Sequence, residues 1–210
     1  RMFALVESGS ITKMMNGNKG FTIGDNQYPT SIFTLWTEAE RNAIGVYTVT
    51  YDYTNFKNVD YYANTDMQFA YDSSGDKVEG SYGTATGLPV ADTKWTQSEI
   101  DAGKAPTGAD TNTVKTEGLK TRLIRRFNEQ AATRLSATDW YVVKATEVGS
   151  YNVPSNITTY RAAVRTKVNS METAINNCSD AAGIETLLTY VKQEDDSMAR
   201  PLGEFPDEVV

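Results

Sequence analysis

Leu135–Arg165, LSATDWYVVKATEVGSYNVPSNITTYRAAVR, decides how this chain is read. It joins two helical patterns through an aromatic connector that stops at Pro154. Upstream, Leu119, Leu123, Phe127, Ala131 and Leu135 recur every four residues, with Ile124 beside them, which predicts an amphipathic helix. Arg122, Arg125, Arg126 and Glu129 fall mostly on its other side, as a solvated face. Downstream, Ser155 follows Pro154 as an N-cap. Ile157, Tyr160, Val164, Val168, Met171, Ile175 and Cys178 then recur at alternating steps of three and four. Ser179-Asp180 offers a new cap, and Ile184, Leu187, Leu188 and Val191 predict a third, shorter helix. Three such stripes joined by short links are expected to bury against one another as an antiparallel cluster. Pairing of the long seam with a second copy is the alternative, and its period alone does not separate the two arrangements.

The connector has a physical reading of its own. Thr138 or Asp139 can bond nearby backbone groups and form the turn. Trp140 is expected to fill the gap between the two helices and bury a large apolar area. Arg161, early on the second helix, is placed to pair with Asp139. On this reading the motif is a structural clasp, and a recognition surface is the alternative.

Beyond the helices, residues 192–210 carry six acids against two bases, and Pro201, Gly203 and Pro206 oppose regular structure. An acidic extended tail over 193–210 is therefore expected, disordered on its own and held by a neighbour through Asp195, Asp196 and Phe205.

Toward the N-terminus the period changes. Phe3–Val6 and Ile11–Met14 read as a hairpin about Glu7–Ser10, and Phe21–Ile23 as a third short strand. Thr37 and Glu40 have capping-box spacing for a short helix that Gly45 stops, and Val46–Val49 returns as a strand. Residues 51–95 crowd Tyr51, Tyr53, Tyr61, Tyr62, Tyr71 and other aromatics among Asn, Asp, Thr and Gly. An exposed hairpin with half-buried tyrosines and a docking surface for a partner are both consistent with that composition. Residues 96–113, in a Thr-, Gly-, Ala- and Pro-rich stretch, are the expected linker. The whole is an α+β chain: a β-rich domain over 1–95, that linker, a helical domain over 114–192 and the tail.

Composition excludes several chemistries. The net charge is −7, which argues against nucleic acid as a partner. There is no His, which removes the commonest general base and metal ligand. The single Cys178 sits at an apolar helical position and reads as an inert core thiol. No apolar run is long enough for membrane insertion, and the first residues do not read as a signal peptide. A soluble protein made in a reducing cytoplasm is expected. No phosphate loop, nucleophile elbow or metal-ligand spacing occurs, so no catalytic, cofactor or metal site is expected and the chain is read as a non-enzyme.

The stretch quoted above, with the helix before it, resembles the phage tail assembly chaperone family and related segments of phage tail-fibre proteins. Leu135, Thr138, Asp139 and Trp140 match a Leu-x-x-Thr-Asp-Trp connector. Pro154 matches the following proline, and Tyr160, Arg161, Val164 and Arg165 match a Tyr-Arg-x-x-Val-Arg helix. The likeness covers residues 118–190, and a weaker one at 1–50 rests on Tyr28-Pro29, Thr37-Glu38-Ala39-Glu40 and Ile44-Gly45. A third helix and an acidic tail stand where the family has a short Trp-Pro ending. The resemblance implies a virion component of a tailed phage, in the baseplate or fibre-attachment region, that contacts other tail proteins as an oligomer. A tail-fibre assembly chaperone and a host-surface carbohydrate-binding module are the alternatives.

Overall fold

Phe3, Ala4 and Leu5 are consecutive and all buried, so the strand that carries them has a core on both of its faces. The computed structural model describes residues 1–209. It separates into two units, one ending at Thr86 and one beginning at Gly87. The first unit runs β1 (Phe3–Glu7), β2 (Ser10–Met15), β3 (Phe21–Ile23), β4 (Asn26–Tyr28), α1 (Ile32–Leu35), α2 (Glu38–Ala43) and β5 (Val46–Asp52). It continues with β6 (Tyr62–Ala63), β7 (Gln68–Asp72) and β8 (Lys77–Ser81). The expected first hairpin is present. Ser8 and Gly9 both have positive φ (51° and 77°), the backbone a two-residue turn needs to match strand twist.

Five strands form one sheet in the order β2-β1-β5-β8-β7. All neighbours are antiparallel except β5 and β8, which pair in parallel from Val49↔Val78 to Asp52↔Ser81. One face carries Phe3, Leu5 and Val46 under Phe21, Ile32 and Phe33. The other carries Ala4, Tyr47, Val49 and Val78, with Ile11 of β2 and Tyr71 of β7 packed against them. The two edge strands approach each other, so the sheet curls around this second face. The Thr37–Glu40 capping box starts α2 as its spacing predicts. It sets Arg41 inward, where the guanidinium donates to the Trp36 carbonyl and the Thr48 hydroxyl and lies 5.5 Å from the Phe3 ring centre.

The second unit corrects the expected linker. After β9 (Thr86–Gly87), strand β10 (Thr93–Lys94) pairs with β11 (Val114–Thr116). Between them lies α3 (Gln97–Asp101), opened by a full Thr96–Glu99 capping box. Lys115 pairs with Glu99 and lies over the Trp95 ring, closing the excursion. Residues 96–113 are thus an ordered loop with its own helix. The first backbone N–H groups of an α-helix have no partner within the helix. Here Leu119 donates to Pro89, Lys120 to Val90, and Gly118 to the Asp92 carboxylate. Residues 89–92 therefore cap the helix that follows and belong with it, not with the β-rich half.

Four helices follow where three were expected: α4 (Leu119–Ser136), α5 (Asp139–Glu147), α6 (Ser155–Asn177) and α7 (Ala181–Leu188). The predicted stripes are the buried ones, namely Leu119, Leu123, Phe127 and Ala131 on α4, and Ile157, Tyr160, Val164, Val168, Met171 and Ile175 on α6. Lys120 reaches the Asn176 carbonyl at one end, and Arg161 reaches the Leu135 carbonyl at the other. These contacts make α4 and α6 run in opposite directions. Cys178 falls just past the end of α6, half-buried, and burial pushes its thiol pKa up.

Two further expectations fail. Trp140 does not fill the gap between helices; it lies on α5 with 52% of its surface exposed. The clasp is Arg161, which is buried at 8% exposure. Its Nη1 donates to the Leu135 carbonyl and the Thr138 hydroxyl, both at 2.7 Å, and its Nη2 to the Asp139 carboxylate at 2.8 Å. Nor is 193–210 a free extended arm. Strand β12 (Val191–Lys192) pairs with β13 (Met198–Ala199), with Asp195 and Asp196 in the turn between them. Leu202 and Phe205 are then buried on the unit's own helices. Leu202 donates to Leu187 and accepts from Lys167, and Arg134 lies 4.6 Å from the Phe205 ring centre. The tail folds back because it brings its own apolar anchors, which the acid count concealed.

Replacing Arg161 with Met leaves the buried Thr138 hydroxyl and Leu135 carbonyl without their charged donor. The expected loss is about 2–3 kcal/mol in urea unfolding. Asp139→Asn should cost under about 1 kcal/mol, since that carboxylate is 57% exposed and solvent screens the pair. Trp140→Ala should likewise cost under about 1 kcal/mol; a loss of 3 kcal/mol or more would restore the buried-plug reading.

Candidate functional site

The inner face of the curled sheet does not end in its core. Val49, Val78 and Tyr71 form one cross-strand row, and the next row on the same face is Tyr51, Gly80 and Phe69. The first row is closed over by the curl; the second emerges at the surface. Gly80 is the reason the two rings can meet. A Cβ there would lie 2.7 Å from Phe69 Cε1 and 2.9 Å from Met67 Sδ, inside van der Waals contact. With hydrogen in that place, Tyr51 and Phe69 approach edge to face across β8, their centroids 6.3 Å apart.

From Tyr51 the rings continue without a gap. Tyr51 stacks on Tyr53 at 6.2 Å, Tyr53 meets Tyr82 at 6.0 Å, and Tyr82 meets Phe56 at 4.9 Å. Five aromatic side chains thus form a ribbon over the end of the sheet, and Tyr53 shows 58% of its surface. The loops beneath are fixed by polar side chains. Asp52 accepts from the Thr54 amide and hydroxyl, and these bonds lower its carboxyl pKa. The Asn55 amide donates to the Tyr82 carbonyl, and Asn64 both donates to and accepts from the backbone of Lys57. Rigid, amphipathic rings on anchored loops lose little freedom on binding, which suits a contact surface.

Only part of the tyrosine set expected for partner contact lies here. Tyr51 and Tyr53 are central to the ribbon. Tyr62 is buried, with Lys57 Nζ 4.6 Å from its ring centre, and Tyr61 is half-buried. Tyr71 turns into the core row and joins Tyr47 on Asp76: both hydroxyls donate to its carboxylate, at 2.7 Å from Tyr47 and 2.9 Å from Tyr71. These bonds hold the Asp76 carboxyl below its usual pKa. The Tyr47 phenol is pushed well above the usual range, first by its hydrogen bonds to Tyr71 and Asp76 and then by burial. Phe56, Phe69 and Tyr82 were not in the expected set. Alternation along strand β7 puts Phe69 and Tyr71 on one face, but nothing local announces the parallel β5–β8 pairing that sets Phe69 beside Tyr51.

The remaining expected residues fall in the second unit. Asp195 and Asp196 are exposed in the β12–β13 turn. Asp195 caps Ser197, which lowers its carboxyl pKa, and Asp196 pairs with Lys192 at 2.6 Å. Phe205 is buried, which removes it from any exposed contact surface. Of the connector motif, Thr138, Tyr160 and Arg161 are buried, Leu135 is half-buried, Pro154 caps α6 and Arg165 is exposed. Among the described residues no group of three or more Cys, Asp and Glu is placed to hold a metal ion, and no helix is long and apolar enough to cross a membrane. No protein-family model, curated protein or solved structure matches this chain.

Gly80→Val should separate the Tyr51 and Phe69 rings and cost about 1–3 kcal/mol by overpacking. Ring-to-ring NOEs between the two residues check this. The Asp76 tie has a signed pH dependence. Its folded pKa is depressed, so its contribution is complete above the unfolded value, about 3.9, and disappears as pH falls through the lower folded value. The Tyr47 phenol has a raised pKa, so its contribution is complete below about 10 and is lost only as pH rises past that. In an NMR titration the Asp76 carboxyl should therefore have its midpoint below the ordinary aspartate value. In an absorbance titration the late-ionising phenol fraction should include Tyr47, and Asp76→Asn should lower the pH at which Tyr47 ionises.

Proposed function

We propose that this chain is a non-enzymatic contact protein of a bacteriophage tail, in the baseplate or fibre-attachment region, and that the aromatic ribbon is its working surface. The ribbon carries the reading. Five rings in sequence, on hydrogen-bonded loops, with a glycine at the one position where a side chain would part them, form a surface built for contact rather than leftover core. Tyr-rich surfaces with interspersed Asn, Thr and Gly are the composition of protein-binding faces. The resemblance of Leu135–Arg165 to phage tail assembly chaperones supplies the biological setting, and α4, α6 and α7 are read as its antiparallel three-helix element. The partners are other tail proteins, and the site of residence is the virion.

One observation favours a second reading. The exposed Tyr51 and Tyr53 faces have Asp52 and Asn55 close by in sequence, an arrangement that can also stack and hydrogen-bond a sugar ring. This supports a host-surface carbohydrate contact.

Mass spectrometry of purified particles tests the leading reading. The wild-type chain should be present in mature virions. Tyr51→Ser/Tyr53→Ser should fold, since both side chains are substantially exposed, yet incorporate at least about tenfold less, the loss expected from removing two aromatic anchors. Absence of the wild-type chain from mature particles overturns the structural role and favours the chaperone. Undiminished incorporation of the variant overturns the ribbon's part in it, and saturable glycan-array binding that the variant loses transfers the ribbon to carbohydrate.

A further inference from the structure

The second unit contains a cavity of about 210 Å³ that nothing in the clasp requires. Arg134, Ala137, Trp140, Tyr141, Tyr160 and Glu208 are among the residues that line it. Tyr160 is a buried wall from α6; Trp140 and Tyr141, from α5, stack with their centroids 3.7 Å apart. Arg134, from α4, supplies the cation. Among the described residues it forms no ion pair; its guanidinium lies over the Phe205 ring and makes a single hydrogen bond, a long one of 3.4 Å from Nη1 to the Gln130 carbonyl. Its Nε is buried without a hydrogen-bond partner among the described residues. A guanidinium has five N–H donors, and charged donors beside apolar walls are costly to leave unused.

Helix α5, which supplies Trp140 and Tyr141 to the cavity, is unusual in the same direction. None of the residues of α5 is fully buried, although its sequence is DWYVVKATE. Trp140 and Val143 each leave about half their surface exposed, and Val142 and Val148 are exposed as well. An aromatic pocket on a helix that keeps much apolar surface in water suits a site where one protein anchors a side chain in another. Size selects the occupant. Sites for whole small ligands usually have about 300–1,000 Å³. This one is smaller and matches a single large side chain.

The geometry points to a partner protein that inserts one Leu- or Phe-sized side chain between Trp140, Tyr141 and Tyr160, with a carboxylate or carbonyl oxygen beside it accepting from Arg134. This site belongs to the second unit and stands or falls separately from the aromatic ribbon.

N-acetyl-phenylalanine and its methylamide serve as probes, titrated into the full chain by NMR. The Trp140 indole N–H, assigned with Trp140→Phe, should shift saturably with a Kd on the order of 1 mM, as a fragment of that size allows. Ala137 is exposed and lines the cavity, so Ala137→Trp should fill it and weaken both probes at least tenfold while leaving the urea midpoint unchanged. Arg134→Lys should weaken the carboxylate probe more than the methylamide. No saturable shift at Trp140, or full binding to Ala137→Trp, overturns the proposal. Equal effects of Arg134→Lys on the two probes leave Arg134 without a carboxylate partner and overturn that half of it. If the chain self-associates in sedimentation and Ala137→Trp dissociates it, the occupant is a second copy, and a foreign partner is overturned.

Discussion

One buried guanidinium organises the second unit. The last carbonyls of a helix lack partners inside it, and the turn to the next helix must supply them. At the end of α4 that supply is Arg161, reaching across from α6 to Leu135, Thr138 and Asp139 together. The Thr138 hydroxyl is satisfied twice, accepting from Arg161 and donating to Leu135. A single side chain therefore fixes the exit of α4, the start of α5 and the pairing of α4 with α6. Burial of the positive charge is tolerable because a carbonyl, a hydroxyl and a carboxylate surround it, and the exposed carboxylate keeps contact with water. Because Arg161 closes the turn, Trp140 is not needed there and is left on the surface.

The first unit shows how a core can be continued into an exposed aromatic surface. Strand pairing places side chains in rows, and rows on one face follow each other at two-residue intervals. Here the row through Val49 and Val78 is apolar and closed, and the next, through Gly80, is aromatic and open. The same backbone ladder that holds the core holds the ribbon. Its rings need no separate scaffold, and their spacing is inherited from the strands.

What could be read from sequence follows the range of the interactions. The helical stripes of α4 and α6 were legible because period 3.6 is local, and so were the Thr37–Glu40 box and the Glu7–Ser10 turn. The Asp139–Arg161 pair was legible because both residues lie in one motif. Trp140 was misread because its size argued for burial, while the smaller gap was already closed by Arg161. The acidic tail was misread because composition averages over Leu202 and Phe205, two anchors among many charges. Residues 96–113 were misread because Thr and Gly mark turns as readily as linkers, and Thr96 with Glu99 was overlooked as a cap. Of the ribbon, Tyr51 and Tyr53 were legible as exposed aromatics. Phe69 and Gly80 were not, because their place depends on the parallel pairing of β5 with β8.

The curl of the sheet has a further consequence. Edge strands with unpaired backbone groups recruit other chains, and segments rich in Tyr and Phe with little charge aggravate that tendency. In this unit the two edges, β2 and β7, are turned toward each other, with Ile11 and Tyr71 packed on the enclosed face. Neither presents a straight, open template to a passing strand. The chain can therefore hold a cluster of aromatic rings in water without inviting the cross-strand stacking that ends in aggregation.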